Sequence, residues 1–224
     1  MGWISYEQWM GGVGREPFTF SKSPTALLVV DMQKVFLEPE HSMAPEGTDL
    51  SALRSAIGPC LKLIEAARES NQTIIYARLA HMADNADEAP ANGRRALGPP
   101  TPKTRTEGTV AAELIDDIQP KPGEFIIDKS RFSCFIGTRL EPLLQARGIR
   151  RLIICGVTTN ICVESTARDA HQRSYETFVV EDASAEYDEE QHWRSLYTIQ
   201  SCFGTVVTVE DVIRSWKAAA LQQV

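Results

Sequence analysis

Three side chains that lie far apart in this 224-residue sequence have chemistry that fits together: the carboxylate of Asp31 in VVDMQKVF, the ammonium of Lys129 in FIIDKSRFSCF and the thiol of Cys162 in GVTTNICVESTARDA. The thiolate is the nucleophilic form of cysteine, and an unperturbed thiol has a pKa of about 8.5. Should Thr159 or Asn160 cap the helix that starts here, Cys162 would sit in its first turn, where backbone N–H groups and the helix dipole favour an anion. A neighbouring Lys129 would lower the thiol pKa further. Asp31 could accept the thiol proton and later deliver it to a leaving amine. Taken singly, each residue has a plainer reading: a small buried hydrophobe, a redox switch or a metal ligand for the cysteine, a cap or a solvated charge for the other two. Only their meeting at one place makes them a catalytic set. Cys155, inside the apolar run RLIICGV, is the internal contrast and is expected to be inert core; Cys60, Cys134 and Cys202 get the same plain reading.

The elements around these residues supply a way for them to meet. TALLVVD, TIIYARL, EFIIDK, RLIICGV, ETFVVED and GTVVTV are short apolar runs of the kind that form strands covered on both faces. Between them the spacing predicts helices over DLSALRSAIGPCLKLIEAARES, interrupted at Gly58-Pro59, and over TVAAELIDDI, GTRLEPLLQARGI, NICVESTARDAHQRS, EEQHWRSLYTIQSC and EDVIRSWKAAAL. This alternation predicts a single-domain, three-layer α/β fold, Rossmann-like, with a mostly parallel six-stranded sheet and helices on both faces. Residues 1–24 read as an irregular N-terminal arm with aromatic anchors (Trp3, Tyr6, Trp9, Phe18, Phe20) and residues 25–224 as the domain. The polar stretch 79–108 reads as a long loop, functional or mobile by its length. In such folds ligands bind beyond the carboxyl ends of the strands. Asp31 ends the first run, Lys129 ends the third, and Cys162 follows Gly156 of the fourth by six residues. The GVTTNIC turn must change direction sharply there, which aims main-chain N–H groups at the same rim and could supply an oxyanion hole.

The bulk properties narrow the classes. A net charge of -7 speaks against a nucleic-acid or anionic-membrane surface, and 43% hydrophobic with 24% charged residues fits a globular chain with one core. No apolar stretch approaches the roughly 20 residues of a bilayer span, and the N-terminus lacks the basic-then-apolar layout of a secretory signal. A cytoplasmic location is the resulting expectation. The five cysteines are widely spaced with no CxxC pair and read as reduced thiols, and the four isolated histidines give no structural zinc site.

The blocks ALLVVDMQKVF, KPGEFIIDKSRFSCFIGTRLEPLL and GVTTNICVESTARDA, with the VVEDA that follows, resemble the isochorismatase-like cysteine hydrolases over about residues 25 to 185. That superfamily includes nicotinamidases, N-carbamoylsarcosine amidases, biuret hydrolases and ureidoacrylate amidohydrolases. The resemblance implies the isochorismatase-like hydrolase fold and an Asp–Lys–Cys triad at Asp31, Lys129 and Cys162. It also implies a cis peptide between Val157 and Thr158 and an oxyanion hole made by the backbone N–H groups of Thr158 and Cys162. The implied reaction is hydrolysis of a C–N bond through a covalent thioester-type intermediate, with ammonia or an amine leaving. Nicotinamidases carry a metal-binding Asp-x-His stretch after the second strand. The corresponding ARLAHMADNAD lacks that spacing, so no cofactor and no catalytic metal is expected, and His81 reads as a loop or pocket residue. Isochorismatases proper hydrolyse a vinyl ether and often lack the cysteine. The SRFSCFIGTRL and TTNICVESTARDA blocks resemble most the ureidoacrylate and N-carbamoyl amidohydrolase branch. Relatives are usually dimers or tetramers, which implies a homo-oligomer.

Gln33 and Phe36 follow the aspartate, and Phe132 and Phe135 follow the lysine. Aromatic walls with one side-chain amide suit a small planar amide or ureide, though any of these phenylalanines could equally be core. Arg78 is placed either to hold a substrate carboxylate or to pair with a neighbouring acid. The expected partner is therefore a small-molecule amide or ureide, with no nucleic acid and no membrane. The expected activity is that of a metal-independent cysteine amidohydrolase. The alternatives are vinyl ether hydrolysis of the isochorismatase type and a catalytically silent binding or redox-sensing member of the fold.

Overall fold

The computed structural model describes residues 4–15, 23–84, 86–87 and 106–221. Its strands are β1 (Thr25–Val30), β2 (Thr73–Leu79), β3 (Phe125–Lys129), β4 (Arg151–Val157), β5 (Glu176–Ala185) and β6 (Thr205–Val207). The helices are α1 (Tyr6–Met10), α2 (Lys34–Leu37), α3 (Ser51–Arg54), α4 (Ile57–Glu69), α5 (Leu140–Ala146), α6 (Glu164–Gln172), α7 (Glu189–Cys202) and α8 (Val209–Leu221). Every residue of β1 is buried, and its side chains alternate between the two sheet faces as strand geometry requires. Leu27 and Val29 join one core with Ile153, Cys155 and Phe178; Ala26, Leu28 and Val30 join the other with Leu152, Ile154 and Val179. A strand apolar on both faces needs cover on both. Leu63 and Ile64 of α4 and Val212 and Trp216 of α8 cover the first face, and Leu144 of α5, Ala167 of α6 and Leu196 of α7 cover the second. Each fully buried Leu or Val contributes about 1.5–3 kcal/mol, so these two layers hold the sheet in place.

All five strand pairings are parallel, in the order β3-β2-β1-β4-β5-β6. The sheet is thus parallel throughout, where the apolar runs alone implied only mostly parallel. The winding reverses between β1 and β4, which opens a crevice beyond their carboxyl ends. No helix among the described residues is long and apolar enough to cross a membrane.

Several elements differ from the expectations. TVAAELIDDI forms only a short 3₁₀ turn at Val110–Ala112. Leu114 then bridges antiparallel to Gln33, and the Ile115 N–H donates to Met32 O at 3.1 Å. The apolar spacing serves as pegs into the core, with Leu114, Ile115 and Ile118 all buried, and not as a helix stripe. The helix break falls at Ser55-Ala56, ahead of Gly58-Pro59. Pro59 lies in the first turn of α4, where its missing N–H costs nothing. The arm is not wholly irregular: Ser5 caps α1, and Trp9 is buried against Trp193 and Tyr197 of α7, with ring centroids 6.2 and 5.9 Å apart. Trp3, Phe18, Phe20 and most of the 79–108 stretch lie outside the described residues. Strand β5 runs to Ala185, past the apolar run ETFVVED, and its register with β4 jumps from Ile154–Val179 to Gly156–Ser184.

Gly156 pairs with Val30 at the reversal point and has φ of 115°. A Cβ built on it would lie 2.0 Å from Val30 O, so both its torsion and its space exclude a side chain. Gly156→Ala is expected to cost more than about 3 kcal/mol in urea unfolding. Gly58→Ala, at a helical position with no atom within 4 Å of the added methyl, is expected to be neutral or stabilising by up to about 1 kcal/mol. Equal effects of the two substitutions would contradict this account of the reversal point.

Candidate active site

Asp31 leaves β1 in the left-handed region, with φ of 52°, and its N–H donates to Ala77 O at 2.9 Å. Such a conformation costs a non-glycine residue about 1–3 kcal/mol and persists where the surroundings enforce it. Lys129 ends β3, which is separated from β1 by β2. Two inter-strand spacings amount to roughly 9.6 Å, a gap that only a long side chain can close. The Lys129 Nζ closes it and meets Asp31 Oδ2 at 2.8 Å, with both side chains wholly buried. The same ammonium donates to Arg131 O at 3.3 Å and reaches Cys162 Sγ at 3.4 Å. The structure thus brings Asp31, Lys129 and Cys162 together.

The cysteine is presented by a tight turn. The Val157–Thr158 peptide is cis, and Thr159–Val163 forms a π-helical turn in which the Val163 N–H donates to Thr158 O at 3.2 Å. Single π turns of this kind recur at functional sites. Neither Thr159 nor Asn160 caps the helix with its side chain, contrary to expectation. Thr159 Oγ1 pairs with His192 Nδ1 at 2.9 Å, and Asn160 Nδ2 donates to Gln191 Oε1 at 2.6 Å. On the other side, Thr166 Oγ1 donates to Cys162 O at 2.7 Å and accepts from the Cys134 N–H at 3.1 Å, tying the turn to the segment after β3.

Burial reverses the lowered thiol pKa expected from the sequence. Cys162 is only 4% exposed, and its thiol is pushed well above the ordinary range by burial first and by the charge of Asp31 second, against the pull of Lys129. Burial also works against the Lys129 ammonium, but the charge of Asp31, with smaller contributions from Cys162, Cys134 and the Asp31 hydrogen bond, outweighs it and raises the pKa. One ammonium here faces two acids. With Lys129 already paired to Asp31, a thiolate would be a second buried anion without a counter-charge of its own, which favours the thiol form of Cys162. Asp31 Oδ1 is buried with no hydrogen-bond partner among the described residues.

Cys162 opens onto a cavity of about 340 Å³ whose walls include Phe36, Phe132, Thr158, Ile161, Glu186 and Tyr187. Phe36 and Phe132, expected at the substrate, both line this cavity. Gln33, expected at the substrate, is not in the wall. Its amide nitrogen donates to Leu79 O at 3.1 Å and Ala112 O at 2.7 Å, while its oxygen accepts the Leu79 N–H at 2.7 Å. Its polar atoms are committed to strapping three backbone segments together. Phe135 packs on Tyr175 in the core, Arg78 pairs with Asp128 at 2.7 and 2.9 Å, and buried His81 faces Asp87 at 3.4 Å. Cys155 and Cys60 are core residues, and Cys60 Sγ contacts Ala183 O at 3.2 Å. Glu186 and Tyr187 escaped the sequence reading because β5 runs three residues beyond its apolar stretch. A larger cavity of about 710 Å³ sits at the other end of the sheet, near the starts of β1 and β2, away from this chemistry.

Alkylation requires the thiolate, so the Cys162-bearing peptide is expected to label with iodoacetamide with an inflection at higher pH than a free cysteine. Asp31→Asn is expected to move that inflection down, because it frees Lys129 to pair with sulfur; Lys129→Met is expected to move it up. Peptide-resolved mass spectrometry separates Cys162 from exposed Cys202. An inflection below that of free cysteine in the unmodified protein would overturn the raised thiol pKa.

The family model for the isochorismatase domain matches residues 25–211. A ureidoacrylate amidohydrolase of Azorhizobium caulinodans is 33% identical over 214 residues, covering 90% of this chain and 94% of that protein. One of Variovorax paradoxus is 32% identical, with 91% and 86% covered. Among solved structures, a cysteine hydrolase from Pseudomonas syringae pv. phaseolicola superposes with a TM-score of 0.77 at 30% identity, covering 90% of this chain and 96% of that one. An N-carbamoylsarcosine amidase from Thermoplasma acidophilum does so with a TM-score of 0.67 at 28% identity, covering 83% and 96%.

Proposed function

The chain belongs to the isochorismatase family, and from that footing we propose that it is a cysteine amidohydrolase cleaving a C–N bond of a small carboxamide or carbamoyl compound. The observation that carries this reading is a thiol at a cavity wall, 3.4 Å from an ammonium that is itself 2.8 Å from a buried carboxylate. Relatives named as ureidoacrylate amidohydrolases and an N-carbamoylsarcosine amidase support the class of bond.

The steps follow from the charge constraint. As the substrate carbonyl carbon approaches, the Cys162 proton passes to Asp31 and sulfur forms a bond to that carbon. Lys129, relieved of the carboxylate charge, then balances the sulfur and the developing negative charge. The carbonyl oxygen, now an anion, is held by the backbone N–H groups of Thr158 and Cys162. Asp31 returns the proton to the nitrogen, the C–N bond breaks, and ammonia or an amine departs. A thioester-type acyl enzyme remains. Asp31 next takes a proton from water, whose oxygen attacks the acyl carbon; sulfur leaves and is reprotonated by Asp31. Phe36 and Phe132 would hold a small planar group against the reacting sulfur while limiting water.

A screen of small carboxamides and ureides for ammonia release is expected to find turnover by the wild-type chain. Cys162→Ala is expected to reduce that turnover by more than about 10³-fold while leaving circular dichroism and the unfolding midpoint intact. Retained ammonia release in that variant would refute the covalent role of Cys162. Pyruvate release from isochorismate in place of ammonia release would move the reading to ether hydrolysis.

A further inference from the structure

Glu186 follows directly on β5 and stands in the cavity wall, 6% exposed. Its Oε1 accepts the Tyr187 N–H at 3.0 Å and its Oε2 accepts the Asn160 N–H at 3.2 Å. Both donors are neutral. Among the described residues no cation pairs with this carboxylate, and the charge that acts on it is another anion, Asp188. The remaining described residues of the wall carry no formal charge. A carboxylate drawn out of water without a counter-charge is costly, and its siting at a ligand wall makes sense when the ligand brings the missing partner. Phe36, Phe132 and Tyr187 on the same walls offer aromatic faces, which also attract cations. The net charge of -7 favours the approach of a cation over that of an anion.

We infer that Glu186 is a specificity-determining residue that selects a substrate whose second polar group, apart from the scissile carbonyl, is an ammonium or other N–H donor, and that it disfavours a carboxylate there. The inference deepens the amidohydrolase reading and rests on it for the identity of the scissile group. It sets this chain apart from the ureidoacrylate relatives, whose named substrate carries a carboxylate.

The test uses the full chain with Cys162→Ala, which removes the nucleophile and lets binding be measured without turnover. Three matched ureas differ only in the far group: (2-aminoethyl)urea, (2-hydroxyethyl)urea and 3-ureidopropanoate. The matched carboxamides are 3-aminopropanamide, 3-hydroxypropanamide and succinamate. By isothermal titration calorimetry, the ammonium member of the accepted series is expected to bind at least about tenfold more tightly than the hydroxyl member, with the carboxylate weakest. Adding Glu186→Gln keeps the shape and one acceptor oxygen but removes the charge, and is expected to bring the three within about threefold. Carboxylate binding equal to or tighter than ammonium binding overturns the inference, as does an ammonium preference that survives Glu186→Gln. The order of affinities on the Glu186-bearing protein decides the point even where Glu186→Gln fails to fold. Ammonia release by the wild-type chain is measured separately. Its failure, with the binding order intact, removes the hydrolytic reading and leaves the charge selection standing.

Discussion

Lys129 lies between two acids, the carboxylate of Asp31 at 2.8 Å and the thiol of Cys162 at 3.4 Å, with all three shut away from solvent. The interior can balance one anion there and not two. That single constraint favours the thiol form of Cys162. It also makes the ion pair structural: removing one partner of a buried pair typically costs about 3–5 kcal/mol, because the other is left uncompensated. The group that would enable the chemistry and the group that holds the strand ends together are the same ammonium.

The rest of the fold can be read as what that contact needs. A parallel sheet with its winding reversed between β1 and β4 brings the ends of both strands to one crevice, and the lysine crosses β2 to enter it. Gly156 allows β4 to press against Val30 at the reversal. His192 and Gln191 of α7 hold the turn before Cys162 from one side, and Thr166 holds it from the other. Gln33 fastens the segment after Asp31 to the end of β2. These are polar contacts placed on rigid elements, which is how a site is kept within a fraction of an ångström of a working geometry.

Beyond the reacting atoms the cavity separates two tasks. Its walls are aromatic and aliphatic, while a single carboxylate, fixed by two backbone N–H groups, gives the wall a sign. The named relatives bear on the class of bond; the proposed charge selection bears on which molecules reach it.

The apolar runs and the helical spacing between them determined the alternation of strands and helices, because burial on both faces leaves a two-residue or a 3.6-residue imprint on the chain itself. That Asp31, Lys129 and Cys162 would meet was legible for the same reason: a parallel sheet gathers the carboxyl ends of its strands along one rim. Where a local signal was read without its surroundings, it misled. TVAAELIDDI carries a helix-like apolar pattern but spends its backbone hydrogen bonds on the segment after β1. Gln33 looked like a substrate amide until two neighbouring backbones claimed its polar atoms. Thr159 and Asn160 looked like caps, but the Thr159 hydroxyl pairs with His192 and the Asn160 amide nitrogen with Gln191. Glu186 was hidden because the polar end of β5 breaks the apolar run that marks a strand. The sign of the thiol shift was beyond the sequence altogether: proximity to Lys129 could be foreseen, but the depth of burial and the prior claim of Asp31 on that ammonium arise only when distant segments pack.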